Sequence, residues 1–517
     1  MSEALEIAGC LAAAASVSAA LLVSDARVRA AALLAAMGLA AALVAGQGWD
    51  ELASLRAHHL ELAGVIIGAV AVLVALAAAM VRWPILLPLL VIATLPFRIR
   101  LHVAGGQAVN LLVPLYAVIG AGVLAIAFEA LRGRAARMRA LPKPLVLALV
   151  LVICLYALQA TYSSDLDFAA RNIGFFMTPF AVLFCLLAMA EWDRRLLRLA
   201  IGVFLLEAIL FAGIGIGQYA TEHIFWNGKL EASNDFHFYF RVNSLFWDPN
   251  IYGRYLMVAI LLVCAALLWT SDRRVAFVLV SALAIIFAGL VFSFSQTTFA
   301  SLFVGLAVLA ALRWSVGWVA VGASVALAAT VLAVFFAAGG SNESSRDISE
   351  GHSSLISGGA KLAGHRPIYG YGSASFSKEF AQAENVPPGD TTISHTEPIT
   401  VAAEQGVIGI AAYLALLAAA LWTFFSGIRS IAPGLRGRFR SLEEGDRVEL
   451  IPARIGLAAA FVALLGHTIG YAAYLTDPLT WALLAVGGVL AAEVGAGGWP
   501  RRTAEGEAKS APAPTVA

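Results

Sequence analysis

Apolar runs of helix length recur along almost the whole chain, and most of the polar breaks between them are short. A helix that crosses a bilayer needs about 20 mostly apolar residues. Runs of that kind fall at 5–23, 30–46, 60–81, 84–97, 109–128, 145–161, 173–190, 199–218, 251–270, 275–293, 297–312, 316–337, 398–424, 455–475 and 478–494. The pattern predicts an all-α fold, a polytopic transmembrane helical bundle of about 12–15 spans with one large outward-facing loop region. The weakest run is 84–97, which is short and carries Pro84, Pro88 and Pro96. Proline breaks or kinks a helix, so this run is the one expected to be lost or re-entrant.

Two polar breaks are long, 219–250 and 338–397. Loops above about 15 residues are usually functional or disordered. The stretch GGSNESSRDISEGHSS reads as a mobile polar strap, whereas HRPIYGYGSASFSKEF, rich in aromatics and glycine, reads as ordered. The tail 495–517, with AEGEAKSAPAPTVA, reads as disordered and cytoplasmic.

Composition supports the membrane reading. Of the 517 residues 61% are hydrophobic and 13% charged, with a mean hydropathy of +0.84. Soluble domains carry about 25% charge. The N-terminus MSEALEIAGC lacks a basic leader, so the first run reads as a retained span. Cys10, Cys154, Cys185 and Cys264 sit unpaired in apolar runs and read as small buried hydrophobes.

The net charge of +1 conceals a segregation. Alternate loops around Arg27, Arg82, Arg132, Arg194, Arg273, Arg313, Arg436 and Arg501 hold 23 of the 34 basic residues. The positive-inside rule makes these loops cytoplasmic, with the N-terminus and residues 338–397 outward.

Four stretches carry candidate chemistry. In RVNSLFWDPNIYGRYL, Asp248, Pro249 and Asn250 form a turn or N-cap at a span, with Arg241 before it and Arg254 one turn inside. This is either a phosphate or sugar pocket or a capped helix with two snorkelling arginines. In VFSFSQTTFASL, Gln296 and its hydroxyl neighbours either bind a ligand or satisfy freed backbone groups. In GHRPIYGYGSASF, Arg366 with Gly370 and Gly372 makes an anion site or a compact surface loop.

The last stretch, TTISHTEPITVAAEQGVIG, runs from polar sequence into a span. Pro398 suits the first turn of the helix, with Ser394 or Thr396 as cap. His395 stands just outside that N-terminus, where the helix dipole favours a neutral imidazole and attracts phosphate. Glu397, Thr400 and Glu404 share one face. Glu404 lies inside the span, where a carboxylate is a functional-site candidate; the alternative is a pairing with an arginine that holds helices together. Gly406 and Gly409 would admit a neighbouring helix.

Taken in order, these stretches resemble the O-antigen ligase and Wzy-type O-antigen polymerase family of bacterial envelope glycosyltransferases. HTEPITVAAEQGVIG is similar to the family's H-x(8)-E-x-G-x-x-G, RVNSLFWDPNIYG to its R-x-x-[GS]-x-F-x-x-P-N, and HRPIYGYGSASF to its P-x-x-G-x-G-x-x-x-F. The likeness covers about residues 200–480 and divides the chain into 1–198, helices without a signature; 199–494, the ligase/polymerase-like domain; and the tail 495–517.

The resemblance implies a polyisoprenyl-diphosphate-linked glycan donor and a hydroxyl acceptor on a glycan, lipid or protein. Transfer would occur on the outer side of the cytoplasmic membrane, without nucleotide sugar, metal or other cofactor, and with no nucleic acid as partner. It implies that His395 is the base or acceptor-positioning residue and Glu404 the helix carboxylate. Arg241 and Arg366 would hold the diphosphate. Gln296 stands where the family often has an arginine, a place that Arg254 or Arg171 would have to fill. A secondary transporter and a lipid-linked glycan flippase are the competing classes, but no inverted repeat is visible, and the inner halves of the spans look apolar.

Overall fold

The computed structural model describes residues 2–47, 59–102, 108–134, 138–139, 141–236, 239–314, 344–385, 396–426, 428 and 450–496. Twelve helices among them are long and apolar enough to cross a membrane, and a shorter apolar helix, Pro478–Ala492, follows. The chain is a multi-pass membrane protein with the all-α bundle that its apolar runs predict.

Helices α1 (Glu3–Leu22) and α2 (Ala26–Gln47) form a hairpin, followed by α3 (His59–Arg82). The run 84–97 is not a full span. It yields only α4 (Leu86–Thr94), nine residues long. At 1.5 Å per residue that is roughly 14 Å, under half of the hydrocarbon thickness. Pro84 precedes this helix and Pro96 follows it. Strands β1 (Ile99–His102) and β2 (Ala108–Leu111) then pair antiparallel, Ile99 opposite Leu111, a small departure from the helix-only expectation. The run 316–337 lies outside the described residues.

Next come α5 (Val113–Leu131), α6 (Lys143–Ala160) and α7 (Leu166–Asn172), which a π turn, Ile173–Met177, joins to α8 (Thr178–Met189). A π turn interrupts the helical ladder, and Tyr116 Oη donates to the Phe175 carbonyl within it at 2.7 Å. All twelve residues of α8 are buried, so this helix is the central post of the bundle. The remaining long helices are α9 (Arg194–Thr221), α11 (Pro249–Trp269), α12 (Arg273–Ser293), α13 (Gln296–Arg313), α16 (Glu397–Phe425), α17 (Leu450–Gly470) and α18 (Pro478–Ala496), with the short α10 (Gly228–Asn234) after α9.

Side-chain oxygens open several of the apolar helices by accepting the first free N–H groups, as helix N-termini require. Asp193 caps α9, Asp248 caps α11, Asp272 caps α12 and Ser295 caps α13.

The polar stretch expected to be a loose strap is helical from Ser344 onward, as α14 (Ser344–His365). It is followed by α15 (Phe376–Glu384). Leu362, Phe376, Phe380 and Ala403 form a small apolar core with Leu355 and Tyr371, and Phe376 stacks on Phe380 at 5.7 Å. Leu355 and Leu362 share one face of α14 two turns apart, which gives this otherwise polar helix a reason to dock.

The helices meet at two ends. One, the loop end, gathers the C-termini of α6, α9 and α17 with the N-termini of α11, α13, α16 and α18. The other, the basic end, carries Arg29, Lys143, Arg194 and Arg454.

Candidate functional site

The described residues singled out in the sequence lie at the loop end, most of them in three packed segments. The first is 241–254. Asn234 clasps Arg241 through both main-chain groups, accepting from its N–H and donating to its carbonyl, each at 3.0 Å. The half-buried Arg241 side chain donates from Nε to the Ser293 carbonyl at 3.3 Å. Gln218 treats Ser244 in the same way, at 2.7 and 3.1 Å. Asp248 accepts from the Asn250 N–H at 2.6 Å, and Pro249 occupies the first turn, so the expected N-cap is present.

From Asn250 a buried polar chain runs inward. Arg254 is 1% exposed. Its Nη1 pairs with Asp477 at 2.7 Å and donates to the Ala473 carbonyl at 3.2 Å. Its Nε and Nη2 face His467 Nδ1 at 3.3 and 3.1 Å. A guanidinium only donates, so Nδ1 accepts and Nε2 carries the proton. Direction then follows along the chain: His467 Nε2 donates to Thr298 Oγ1 at 3.2 Å, Thr298 to Ser295 Oγ at 2.7 Å, and Ser295 to Asn250 Oδ1 at 2.6 Å. Every member is paired, which is what makes a buried charge tolerable.

The resemblance leaves the missing arginine's place to Arg254 or Arg171, but the Arg254 guanidinium is taken up by protein groups and holds helices α11, α17 and α18 together. Gln296 is exposed on the first turn of α13.

The second and third segments are interlocked. Helix α16 is broken at Gly406, whose φ of 64° and ψ of −162° are non-helical. An unbroken helix would bond the N–H of Val407 to the Ala403 carbonyl and that of Ile408 to the Glu404 carbonyl. Segment 367–372 takes all four groups. Val407 donates to the Pro367 carbonyl at 2.8 Å and Ile408 to the Ile368 carbonyl at 3.3 Å, while Tyr371 donates to Ala403 at 3.2 Å and Gly372 to Glu404 at 2.8 Å.

The glycines make this close approach possible. Gly370 and Gly372 have φ of 68° and 99°, and a Cβ on Gly370 would strike the Glu404 carbonyl. Gly406 thus admits a loop, not the neighbouring helix expected from its spacing to Gly409.

The Glu404 carboxylate accepts from the N–H groups of Ala374 at 2.9 Å and Phe376 at 3.2 Å. It is buried and fixes the start of α15; among the described residues, no arginine takes the place of these donors. The end of helix α6 and the turn after it hold the junction of loop and α16 from the other side. Gln159 donates to the Gln405 carbonyl at 3.1 Å, Tyr162 to the Tyr369 carbonyl at 2.7 Å, and Ser163 to the Ser373 carbonyl at 2.7 Å. Arg366 is exposed, with its guanidinium carbon 4.4 Å from the centre of the Tyr371 ring.

Glu397 links the third segment to the first. Its Oε2 accepts from the N–H groups of Ala473 and Tyr474 at 2.8 and 3.2 Å. Thr396 is the cap position of α16 and makes no side-chain capping bond. His395, one residue earlier, lies outside the described residues.

Sequence reasoning missed Asp477, Gln159, Gln218 and the part played by His467. Asp477, Gln159 and Gln218 are polar residues at or near the end of an apolar run and His467 is a lone imidazole inside one, signals open to reading.

No protein-family model matches the chain, and comparison with curated proteins finds no match.

Proposed function

We propose that this protein is a membrane glycan transferase of the O-antigen ligase or polymerase type. It moves a polyisoprenyl-diphosphate-linked glycan to a hydroxyl acceptor on the outer side of the cytoplasmic membrane. The observation that carries this reading is the joining of three motifs that are far apart in sequence. Arg254 and Glu397 grip the same 471–477 turn, and segment 366–376 is built into the break of α16. The resemblance to the family rests on these same three motifs.

In the proposed reaction the acceptor oxygen attacks the anomeric carbon of the donor sugar. The bond from that carbon to the diphosphate oxygen breaks, and its electron pair leaves with polyisoprenyl diphosphate. His395 takes the acceptor proton, a role that typically contributes about 10²–10⁴ in rate. Arg241 and Arg366, neither of them sealed in the interior, hold the diphosphate and stabilise its growing charge. Arg254 and Glu404 are positioning residues: one fixes the 471–477 turn, the other fixes residues 374–376.

The test is transfer by purified full-length protein from a lipid-linked oligosaccharide donor to a hydroxyl acceptor, analysed by mass spectrometry of the product. Release of polyisoprenyl diphosphate with a new glycosidic bond is the expected result. Movement of the intact donor across sealed vesicles with no new bond would replace this reading with a flippase.

A further inference from the structure

At the basic end, a cavity of about 1090 Å³ opens between the α1–α2 turn, the end of α5 and the start of α6. Arg27, Arg29, Arg139 and Lys143 line it, with Leu22 and Leu147 among its apolar wall residues. Arg29 is 4% exposed. Its Nε donates to the Ala20 carbonyl at 3.2 Å and its Nη2 to the Val23 carbonyl. Its Nη1 is buried and, among the described residues, has no hydrogen-bond partner. A buried guanidinium with an unused donor is costly unless something anionic completes it.

The single acidic residue among the described lining residues, Asp25, does not complete it. Asp25 Oδ1 accepts from the N–H groups of Arg27 and Val28 at 2.8 and 2.9 Å, capping α2. Those N–H groups hold its carboxyl below the ordinary carboxylate range.

Four membrane-length helices begin or end at this cavity, which sets it at the depth of lipid headgroups. Cationic groups above leucine side chains fit a ligand with an anionic head and apolar tails. We propose that this cavity binds the phosphodiester headgroup of an anionic membrane lipid. Basic pockets between membrane helices commonly recognise such headgroups. The inference is independent of the proposed transfer reaction, which belongs to the opposite end.

The test is thermal unfolding of the full-length protein in neutral detergent with added phosphatidylglycerol, phosphatidylcholine or inorganic phosphate. Phosphatidylglycerol should raise the midpoint, and the other two should not. The doubly substituted Arg27→Ala/Lys143→Ala protein alters two exposed residues, so its fold should survive. It should need about tenfold or more phosphatidylglycerol for the same shift. Arg29→Gln, if it folds, should lose the shift. An equal response to phosphatidylcholine, or an undiminished response in the double variant, would overturn the proposal. A response to inorganic phosphate equal to that of phosphatidylglycerol would mean a soluble-anion site and would overturn the lipid assignment.

Discussion

Arg254 and Glu397 hold opposite sides of one peptide turn: the guanidinium donates to the Ala473 carbonyl at 3.2 Å, and the carboxylate accepts from the Ala473 N–H at 2.8 Å. Ala473 sits there at φ 104°, a conformation that a non-glycine residue adopts only under constraint. Two charged side chains from helices 143 positions apart in sequence supply that constraint.

Breaking the Arg254–Asp477 pair from one side should be severe. Arg254→Met leaves a buried carboxylate without its counter-charge, and Asp477→Leu a buried guanidinium without its own. Each should cost about 3–5 kcal/mol. The double variant Arg254→Met/Asp477→Leu should recover much of that loss. Thermal unfolding in detergent of the four proteins forms a cycle that measures the coupling; additive losses would show that the pair acts through some other contact.

Glu404→Gln keeps the shape of the side chain but has one acceptor oxygen for two N–H donors. One donor, at Ala374 or Phe376, then faces an amide N–H₂. The expected cost is about 1–3 kcal/mol, with faster proteolysis around residues 370–380. Glu404→Ala should be worse. Unchanged proteolysis in both would remove Glu404 as the anchor of this loop.

Gly406→Ala puts a Cβ at φ 64°, facing the Ile368 carbonyl. The strain is on the order of 1–3 kcal/mol, while a straight helix accepts alanine readily. The variant should release segment 367–372. Thiol labelling of Tyr369→Cys, with and without Gly406→Ala, reads this directly, and the double variant should label faster.

His395→Ala should lower glycan transfer by about 10²–10⁴ while leaving donor binding nearly intact. Arg366→Ala should weaken donor binding instead. Comparing saturation curves for the lipid-linked donor separates the two, and near-normal turnover of His395→Ala would remove its proposed role as base.

Impermeant thiol labelling of intact cells should mark a cysteine at Ser353 and not one at Ser441, because the basic loops are expected in the cytoplasm. The reverse pattern would invert the bundle and sink the proposed outward reaction.

Much of the fold was legible because a membrane span is the strongest signal a sequence carries. The runs matched helix after helix, and Asp248-Pro249 read correctly as a cap. The run 84–97 has the hydropathy of a span, but its prolines, which marked it as the one to be lost, leave only nine helical residues. What failed was local. Helix α14 was hidden because its apolar stripe, Leu355 and Leu362, is thin and docks on residues remote in sequence. At the candidate site, residue types were legible but their partners were not. Arg254 could be seen as needing a partner, yet Asp477 and His467 lie more than 200 positions away. Glu404 accepts from backbone N–H groups, which no pattern of side chains reveals.

The break at Gly406 has a mechanical meaning. The four bonds that hold segment 367–372 in α16 use two donors and two acceptors that would otherwise bond to each other. If the loop leaves, Val407 can turn back to Ala403 and Ile408 to Glu404, so the helix recovers its own ladder as it straightens. Loop departure and helix straightening are therefore a single displacement, an exchange of partners that leaves no helix group stranded. Any force on the loop is geared to the orientation of the nineteen residues beyond Gly406, and a pull at the surface is felt within the bilayer.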